Sequence, residues 1–397
     1  MNYHKKTVLD TDVTGKKVLL RCDFNVPLDK ATNAIADDQR IQASLPTIRH
    51  LLDNGAAVIL CSHLGRPKGE WNLKYSLAPV AVRLSKLTGL PVEMAKDVVG
   101  RDSAAKAAGL KPGQMLLLEN LRFHREEEAN DPVFSQKLAD MADLFVSDAF
   151  GTVHRAHAST CGVAAYLPAV SGLLVEKELR IMGRALENPR RPFVAVLGGA
   201  KVSDKLGVIS NLLEKADTLI IGGAMAYTFV KALGGSVGKS PLEEDRLSYA
   251  LDMMDKAKKK GKTILLPVDN LAAAEFSADA RAVEVPAAAI PDSLMGMDIG
   301  EGTIALFSEV LRGAGTIFWN GPMGVFEFPA FATGTRAITQ AMAESDAITI
   351  VGGGDSASAV EQFGYADRMT HVSTGGGSSL EFFEGLELPG VACLLDK

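Results

Sequence analysis

The sequence predicts an α/β protein of two doubly wound, parallel-sheet domains joined by a helix and hinge. Three observations carry that prediction. Short apolar, β-rich runs alternate with longer helical patterns along the 397 residues, as in parallel sheets covered on both faces. Polar clusters fall at the carboxyl ends of these runs, where open α/β sheets gather ligands. A proline-bearing stretch, Asn188-Pro189-Arg190-Arg191-Pro192, interrupts the chain near its middle, and prolines discourage helix continuation.

In the first half the strand-like runs are Lys17–Cys22, Ala56–Cys61, Gln114–Leu118 and Asp143–Val146. They lead into Asp23-Phe24-Asn25-Val26-Pro27, Ser62-His63-Leu64-Gly65-Arg66, Glu119-Asn120-Leu121-Arg122 and Ser147-Asp148-Ala149-Phe150-Gly151. Ser171 is placed to cap the next helix, whose apolar positions Leu174, Leu179, Ile181, Met182 and Leu186 include helical spacings. That helix should end near Glu187. In the second half the runs are Phe193–Leu197, Thr218–Ile221, Thr263–Pro267, Thr316–Trp319, Ala347–Val351 and Met369–Val372. The expected division is residues 1–172 and 193–378 as Rossmann-like domains, 173–192 as connector and hinge, and 379–397 as a C-terminal segment.

Composition excludes several classes. No apolar run approaches the length of a membrane span, and the polar start has no signal-peptide core, so the cytoplasm is expected. The four cysteines, Cys22, Cys61, Cys161 and Cys393, are scattered without metal-type spacing and read as buried thiols. Residues 1–190 hold 25 basic and 22 acidic residues against 17 and 26 in 191–397, within a net charge of −6. Neither half has a basic stripe with interleaved aromatics, so nucleic acid is not the expected partner.

The halves differ in chemistry. Six of the seven histidines precede residue 160, with Arg21, Arg40, Arg66, Arg122 and Arg155 in compact polar clusters. Guanidinium forks match carboxylate and phosphate oxygens, so this half suits a small anionic substrate. Each residue also has a plain structural explanation: an exposed loop for His63 to Arg66, a surface helix pair for Arg40, a turn for Asp23 and Asn25. Several such sites at strand ends or adjoining loops are less readily explained that way.

Glycine clusters dominate the second half, and they let backbone N–H groups approach phosphates. Gly198-Gly199 precedes Lys201 and Lys205, which share a face if the segment opens a helix. Trp319-Asn320-Gly321 to Glu327 offers apolar contacts, an amide and a carboxylate for a nucleotide. Gly352 to Ala357 satisfies the dinucleotide pattern G-x-G-x-x-A, although Asp355 better suits a Mg²⁺-linked phosphate. Ser373-Thr374-Gly375-Gly376-Gly377 opens a helix whose free N–H groups suit a transferring phosphoryl group. The segment ending Gly238-Lys239-Ser240 has Leu233 where a P-loop needs its first glycine, and is read as a loop.

Together these residues resemble the phosphoglycerate kinase family. The similarity runs from about Lys17 to Val391 through Arg21–Leu28, Ser62–Gly69, Leu117–His124, Asp148–Thr160, Gly198–Leu206, Trp319–Phe328, Gly352–Ser356 and Thr370–Leu380. The resemblance implies phosphoryl transfer between 1,3-bisphosphoglycerate and ADP, giving 3-phosphoglycerate and ATP, with Mg²⁺. It implies that Asp23, Asn25, Arg40, His63, Arg66, Arg122 and Arg155 hold the phosphoglycerate. It assigns Lys205, Glu327, Gly353, Gly354, Asp355 and Ser356 to the nucleotide, Lys201 and Asn320 to the neighbourhood of its phosphates, and Asp355 to the metal. Arg40, Lys205, Gly375 and Gly376 look like stabilisers of the transferring group. It further implies a monomer whose C-terminal segment packs on the first domain. Cys22 and Phe382-Phe383 depart from commoner aliphatic residues without touching these assignments.

In the reverse direction the nucleophile is an ionised carboxylate, so no general base is required. Catalysis would rest on alignment and charge stabilisation, with hinge closure bringing two half-sites together. Two other readings stay open at this stage: a nicotinamide-dependent dehydrogenase using Gly352–Ala357, and a non-catalytic nucleotide-binding protein.

Overall fold

In the computed structural model, which describes residues 3–29 and 31–397, alternate residues of the first strand face different cores. The first two residues of the polar start and Lys30 lie outside the described residues. Val18, Leu20 and Cys22 join one apolar cluster with Val58 and Leu60. Leu19 joins the other with Ile59 and Cys61. Side chains on a strand alternate between faces, so a continuous apolar run supplies both cores at once.

The chain divides into two units, one running to Arg180 and including Glu387–Lys397, the other Ile181–Leu386. The first holds β1 (Lys17–Cys22), β2 (Ala57–Cys61), β3 (Val92–Met94), β4 (Met115–Leu117), β5 (Leu144–Asp148) and β6 (Ala169–Ser171). They form one sheet in the order β3-β4-β2-β1-β5-β6, parallel throughout. Register places Arg21 beside Cys61 and Cys22 beside Asp148. The strand ends carrying polar residues are therefore level.

The second unit holds β7 (Phe193–Leu197), β8 (Thr218–Ile221), β9 (Ser236–Val237), β10 (Thr263–Leu265), β11 (Asp269–Ala273), β12 (Val283–Pro286), β13 (Ala289–Ile290), β14 (Met295–Ile299), β15 (Thr316–Asn320), β16 (Ile348–Gly352) and β17 (His371–Val372). Its main sheet runs β10-β8-β7-β15-β16-β17, again parallel. The antiparallel β12-β11-β14 sheet and the β13-β9 pair stand outside it. The segment ending Gly238-Lys239-Ser240 contains β9 rather than a P-loop, and the Ser240 hydroxyl accepts from Gly296 N at 2.9 Å.

Two expectations need correction. The connecting helix spans Leu173–Glu187, but Ser171 does not cap it, because Ser171 ends β6. Leu173 N donates instead to Thr47 Oγ1, and Leu174 N to Asp148 Oδ1, both at 2.9 Å. The division between units falls after Arg180, inside this helix and within the expected connector 173–192. Residues 379–386 stay with the second unit. Phe383 stacks on Phe318 at 3.5 Å between ring centroids, and its carbonyl accepts from Asn211 Nδ2 at 2.8 Å. Only from Glu387 does the chain join the first unit, where Gly390 N donates to Val153 O, Leu395 N to Ala169 O and Lys5 Nζ to Asp396 Oδ1.

Among the described residues no helix is long and apolar enough to cross a membrane. Cys22 and Cys61 are buried, whereas Cys161 and Cys393 are only partly so.

Candidate active site

The first half-site grows from the ends of β1, β2, β4 and β5. Asp23, just past β1, accepts from Arg40 NH1 at 2.5 Å. Arg40 sits in the first turn of the helix Gln39–Asp53, with its side chain 43% exposed. Its partner is therefore a strand-end carboxylate rather than a helical neighbour. The preceding Asp38 accepts from Gln42 at 2.7 Å and Arg83 at 2.6 Å, so its carboxylate is committed within the first unit.

Gly65 bridges two predicted residues. Its N–H donates to Asn25 Oδ1 at 2.8 Å and its carbonyl accepts from Arg122 NH1 at 2.9 Å. It has φ +62°, and an added Cβ would lie 2.5 Å from the Tyr75 ring. Arg122 is buried and also pairs with Glu128 Oε1 at 3.2 Å. Arg155 is half-buried, with Nε donating to His154 Nε2 at 3.2 Å. Arg66 is exposed.

His63 records the charge of this half-site. Burial pushes its pKa well below the ordinary imidazole value, and the guanidiniums of Arg21, Arg122, Arg155 and Arg40 push in the same direction. His157 falls to about 4 through burial, then Arg122, Arg21 and Arg155. His154 falls to about 4 through burial and Arg155. A cluster that disfavours an added cation suits an arriving anion.

The second half-site lies at the ends of β7, β15 and β16 and the start of the helix Gly377–Glu384. Lys205 is buried, and Nζ donates to Gly198 O at 2.7 Å, Asn320 O at 2.8 Å and Asn320 Oδ1 at 2.5 Å. Burial pulls its pKa to about 7, while Asp355 and Asp204 oppose that shift. Lys201 does not share its helical face: it is exposed and precedes the 3-10 turn Ser203–Lys205. The glycine turn between β7 and this lysine leaves no helix for the pair.

Gly353 has φ +92° and caps the helix Gly354–Gln362, whose first turn carries exposed Asp355. The backbone bond from Ala357 N to Gly353 O leaves the N–H groups of Gly354, Asp355 and Ser356 at the helix mouth. Ser356 is fully buried, and its hydroxyl accepts from Gly321 N at 2.6 Å. Glu327 is exposed on the loop after β15. Trp319 cannot be a nucleotide platform: it is fully buried, with Nε1 donating to Gly321 O at 2.7 Å.

At the last helix, Gly375 N is already committed to Ser373 Oγ at 3.0 Å. Gly376, with φ +51° at the N-cap, and the helix start behind it are better placed as donors. Among the described residues no group of three or more His, Cys, Asp and Glu could hold a metal. Asp355 alone fits Mg²⁺ shared with nucleotide phosphates, because that ion commonly takes one or two carboxylates and completes its shell elsewhere.

Sequence reasoning missed the supports behind these residues. Asn120 donates to Leu64 O and Tyr75 O and accepts from Leu64 N and Arg122 N, clamping the His63 loop to the Arg122 turn. Glu119 accepts from Ser76 Oγ, Leu77 N and Asn120 N. Their signal was a carboxylate and an amide directly after a buried strand, where bare polar groups are costly.

The sequence profile of the family described as phosphoglycerate kinase matches residues 8–386. A curated relative named phosphoglycerate kinase from Clostridium novyi (strain NT) is 58% identical over 400 residues, with all of both chains covered. One of that name from Clostridium botulinum (strain Hall / ATCC 3502 / NCTC 13319 / Type A) is 55% identical over the same length and coverage. The solved phosphoglycerate kinase from Coxiella burnetii has a TM-score of 0.91 at 43% identity, and that from Pyrococcus horikoshii OT3 has 0.83 at 35%. Each comparison covers 98% of both chains.

Proposed function

The chain belongs to the phosphoglycerate kinase family, and on that premise we propose how its residues carry out the family's reaction. The reaction is reversible phosphoryl transfer from 1,3-bisphosphoglycerate to ADP, giving 3-phosphoglycerate and ATP. In our reading Asp23, Asn25, Arg40, His63, Arg66, Arg122 and Arg155 hold the phosphoglycerate. The observation that carries this assignment is the joined cluster at the ends of β1, β2 and β4, where Arg40 pairs with Asp23 and Gly65 links Asn25 to Arg122.

Lys201, Lys205, Asn320, Glu327 and Gly353 to Ser356 hold the nucleotide, with Ser356 contributing its backbone N–H. Mg²⁺ on Asp355 would neutralise nucleotide phosphates. Arg40, Lys205 and Gly376 stabilise the transferring group, and Gly375 shapes the turn that presents Gly376. The acceptor carboxylate is ionised at neutral pH, so orientation and charge stabilisation supply the rate. Closure about the connector brings the half-sites to one phosphoryl group, within a cytoplasmic monomer.

A coupled assay of ATP formation from 1,3-bisphosphoglycerate and ADP tests the reading. Activity lost with a chelator and restored by Mg²⁺ is expected; full activity without divalent metal would remove the metal assignment. Small-angle scattering should show compaction with both substrates bound, and an unchanged radius would sink closure.

A further inference from the structure

We propose that Arg21 is a positioning residue that fixes the tautomer of His63, so that His63 meets phosphoglycerate as a neutral Nε2–H donor. The proposal rests on the substrate assignment above and adds a residue that the assignment leaves out.

Arg21 is 1% exposed, and each guanidinium nitrogen has a protein partner. NH1 donates to Cys22 O, Nε to Ser159 Oγ at 2.8 Å, and NH2 lies 3.1 Å from His63 Nδ1. A guanidinium only donates. His63 Nδ1 must therefore accept, and the proton of the neutral ring resides on Nε2. With its nitrogens committed inside the first unit, Arg21 acts on the substrate through His63.

The other end of the guanidinium is equally directional. Ser159 Oγ accepts from Arg21, so its own proton goes to Glu127 Oε1 at 2.5 Å. Ser159 N donates to Glu127 Oε2 at 3.0 Å. Both oxygens of buried Glu127 act as acceptors, which supplies a counter-charge to a buried guanidinium through one hydroxyl. Every donor along Glu127–Ser159–Arg21–His63 is thus fixed: Arg21 donates to His63 on one side and to Ser159 on the other, and Ser159 donates to Glu127.

Protonation of the ring would place a fifth cation among Arg21, Arg122, Arg155 and Arg40, and would force Nδ1 to point a proton at a donor. His63 therefore offers one N–H to an oxygen acceptor such as a carboxylate or hydroxyl, whatever the pH across the working range.

Long-range ¹H–¹⁵N correlation on the labelled full chain tests this, with the His63 ring assigned from its loss in His63→Gln. The expected result is protonated Nε2 and bare Nδ1 from about pH 6 to 8. A protonated Nδ1, alone or in an imidazolium, would overturn the proposal, and this measurement needs no folded Arg21 variant. In Arg21→Met the second tautomer should appear, and KM for 3-phosphoglycerate should rise about fivefold, the scale of one lost hydrogen bond, while KM for ADP holds. An unchanged tautomer in that variant would also overturn it. His63→Gln, whose amide nitrogen lies near Nε2, should retain more 3-phosphoglycerate affinity than His63→Asn; the reverse order counts against the proposal. A wild-type protein that shows the expected tautomer yet makes no ATP would sink the substrate assignment instead.

Discussion

The ammonium of Lys205 lies 2.5 Å from Oδ1 of Asn320 and 2.8 Å from the same residue's carbonyl. With Gly198 O as the third acceptor, its geometry matches the three protons of the charged form. Burial nevertheless pulls the pKa to about 7. The acceptors favour the ammonium and desolvation disfavours it, so this group changes charge near neutrality.

Nucleotide phosphates stabilise the ammonium form, so ADP binding above pH 7 should draw in a proton at Lys205. Calorimetry at pH 8 in buffers of different ionisation enthalpy should show uptake approaching one proton, absent in Lys205→Met. Equal proton counts for the two proteins would rule this out.

Arg40→Ala should lower kcat by about 10²–10³, the scale of losing one preorganised donor to a developing charge. Nucleotide KM should change little. A kcat within about threefold of wild type, worth about 0.65 kcal/mol, would remove Arg40 from the transferring group. Asp23→Ala should weaken 3-phosphoglycerate binding in parallel, because Arg40 leans on that carboxylate.

Asp148 is buried with one carboxylate oxygen on Leu174 N and the other without a partner, and burial pushes its pKa from 3.8 to about 7. Between those values the folded chain binds more protons than the unfolded chain, so this group's contribution falls as pH rises and is lost above about 7. Asp148→Asn should lose less stability than wild type between pH 5 and 7, by at most about 1.4 kcal/mol per pH unit. Urea unfolding across that window measures it; parallel curves would contradict it. Asp298, also raised to about 7, keeps its own share in the variant.

Gly65→Ala should cost more than about 1 kcal/mol, since its backbone is left-handed and the new methyl would meet Tyr75. The same shift should loosen the bonds to Asn25 and Arg122 and raise KM for 3-phosphoglycerate. Thermal unfolding and steady-state kinetics test both parts. An unchanged KM would show that Gly65 does not set substrate geometry.

The central strands were legible because burial on both faces leaves an apolar run with little competing signal. β1, β7 and β8 match their predicted ranges. The edge strands β3 and β6 were missed: Val92–Met94 includes an exposed glutamate, and both are three residues long. The antiparallel β12-β11-β14 sheet was missed because Asp269 and Glu284 break any apolar run. Residues around the candidate site were readable as types at strand ends. Their occupancy was not: Ser356, Trp319 and Gly375 N are committed within the protein by contacts from distant or looping segments. Ser171 looked like a cap because capping chemistry was sought on the chain itself, whereas Thr47 and Asp148 supply it from elsewhere.

The return of Glu387–Lys397 to the first unit has a consequence for the chain as it is made. Leu395 pairs with Ala169, and Lys5 with Asp396, so segments that finish the first unit leave the ribosome after the second unit has been made. The intervening unit can collapse while its predecessor still lacks a closing segment. The first unit is therefore begun before the second and completed only after it.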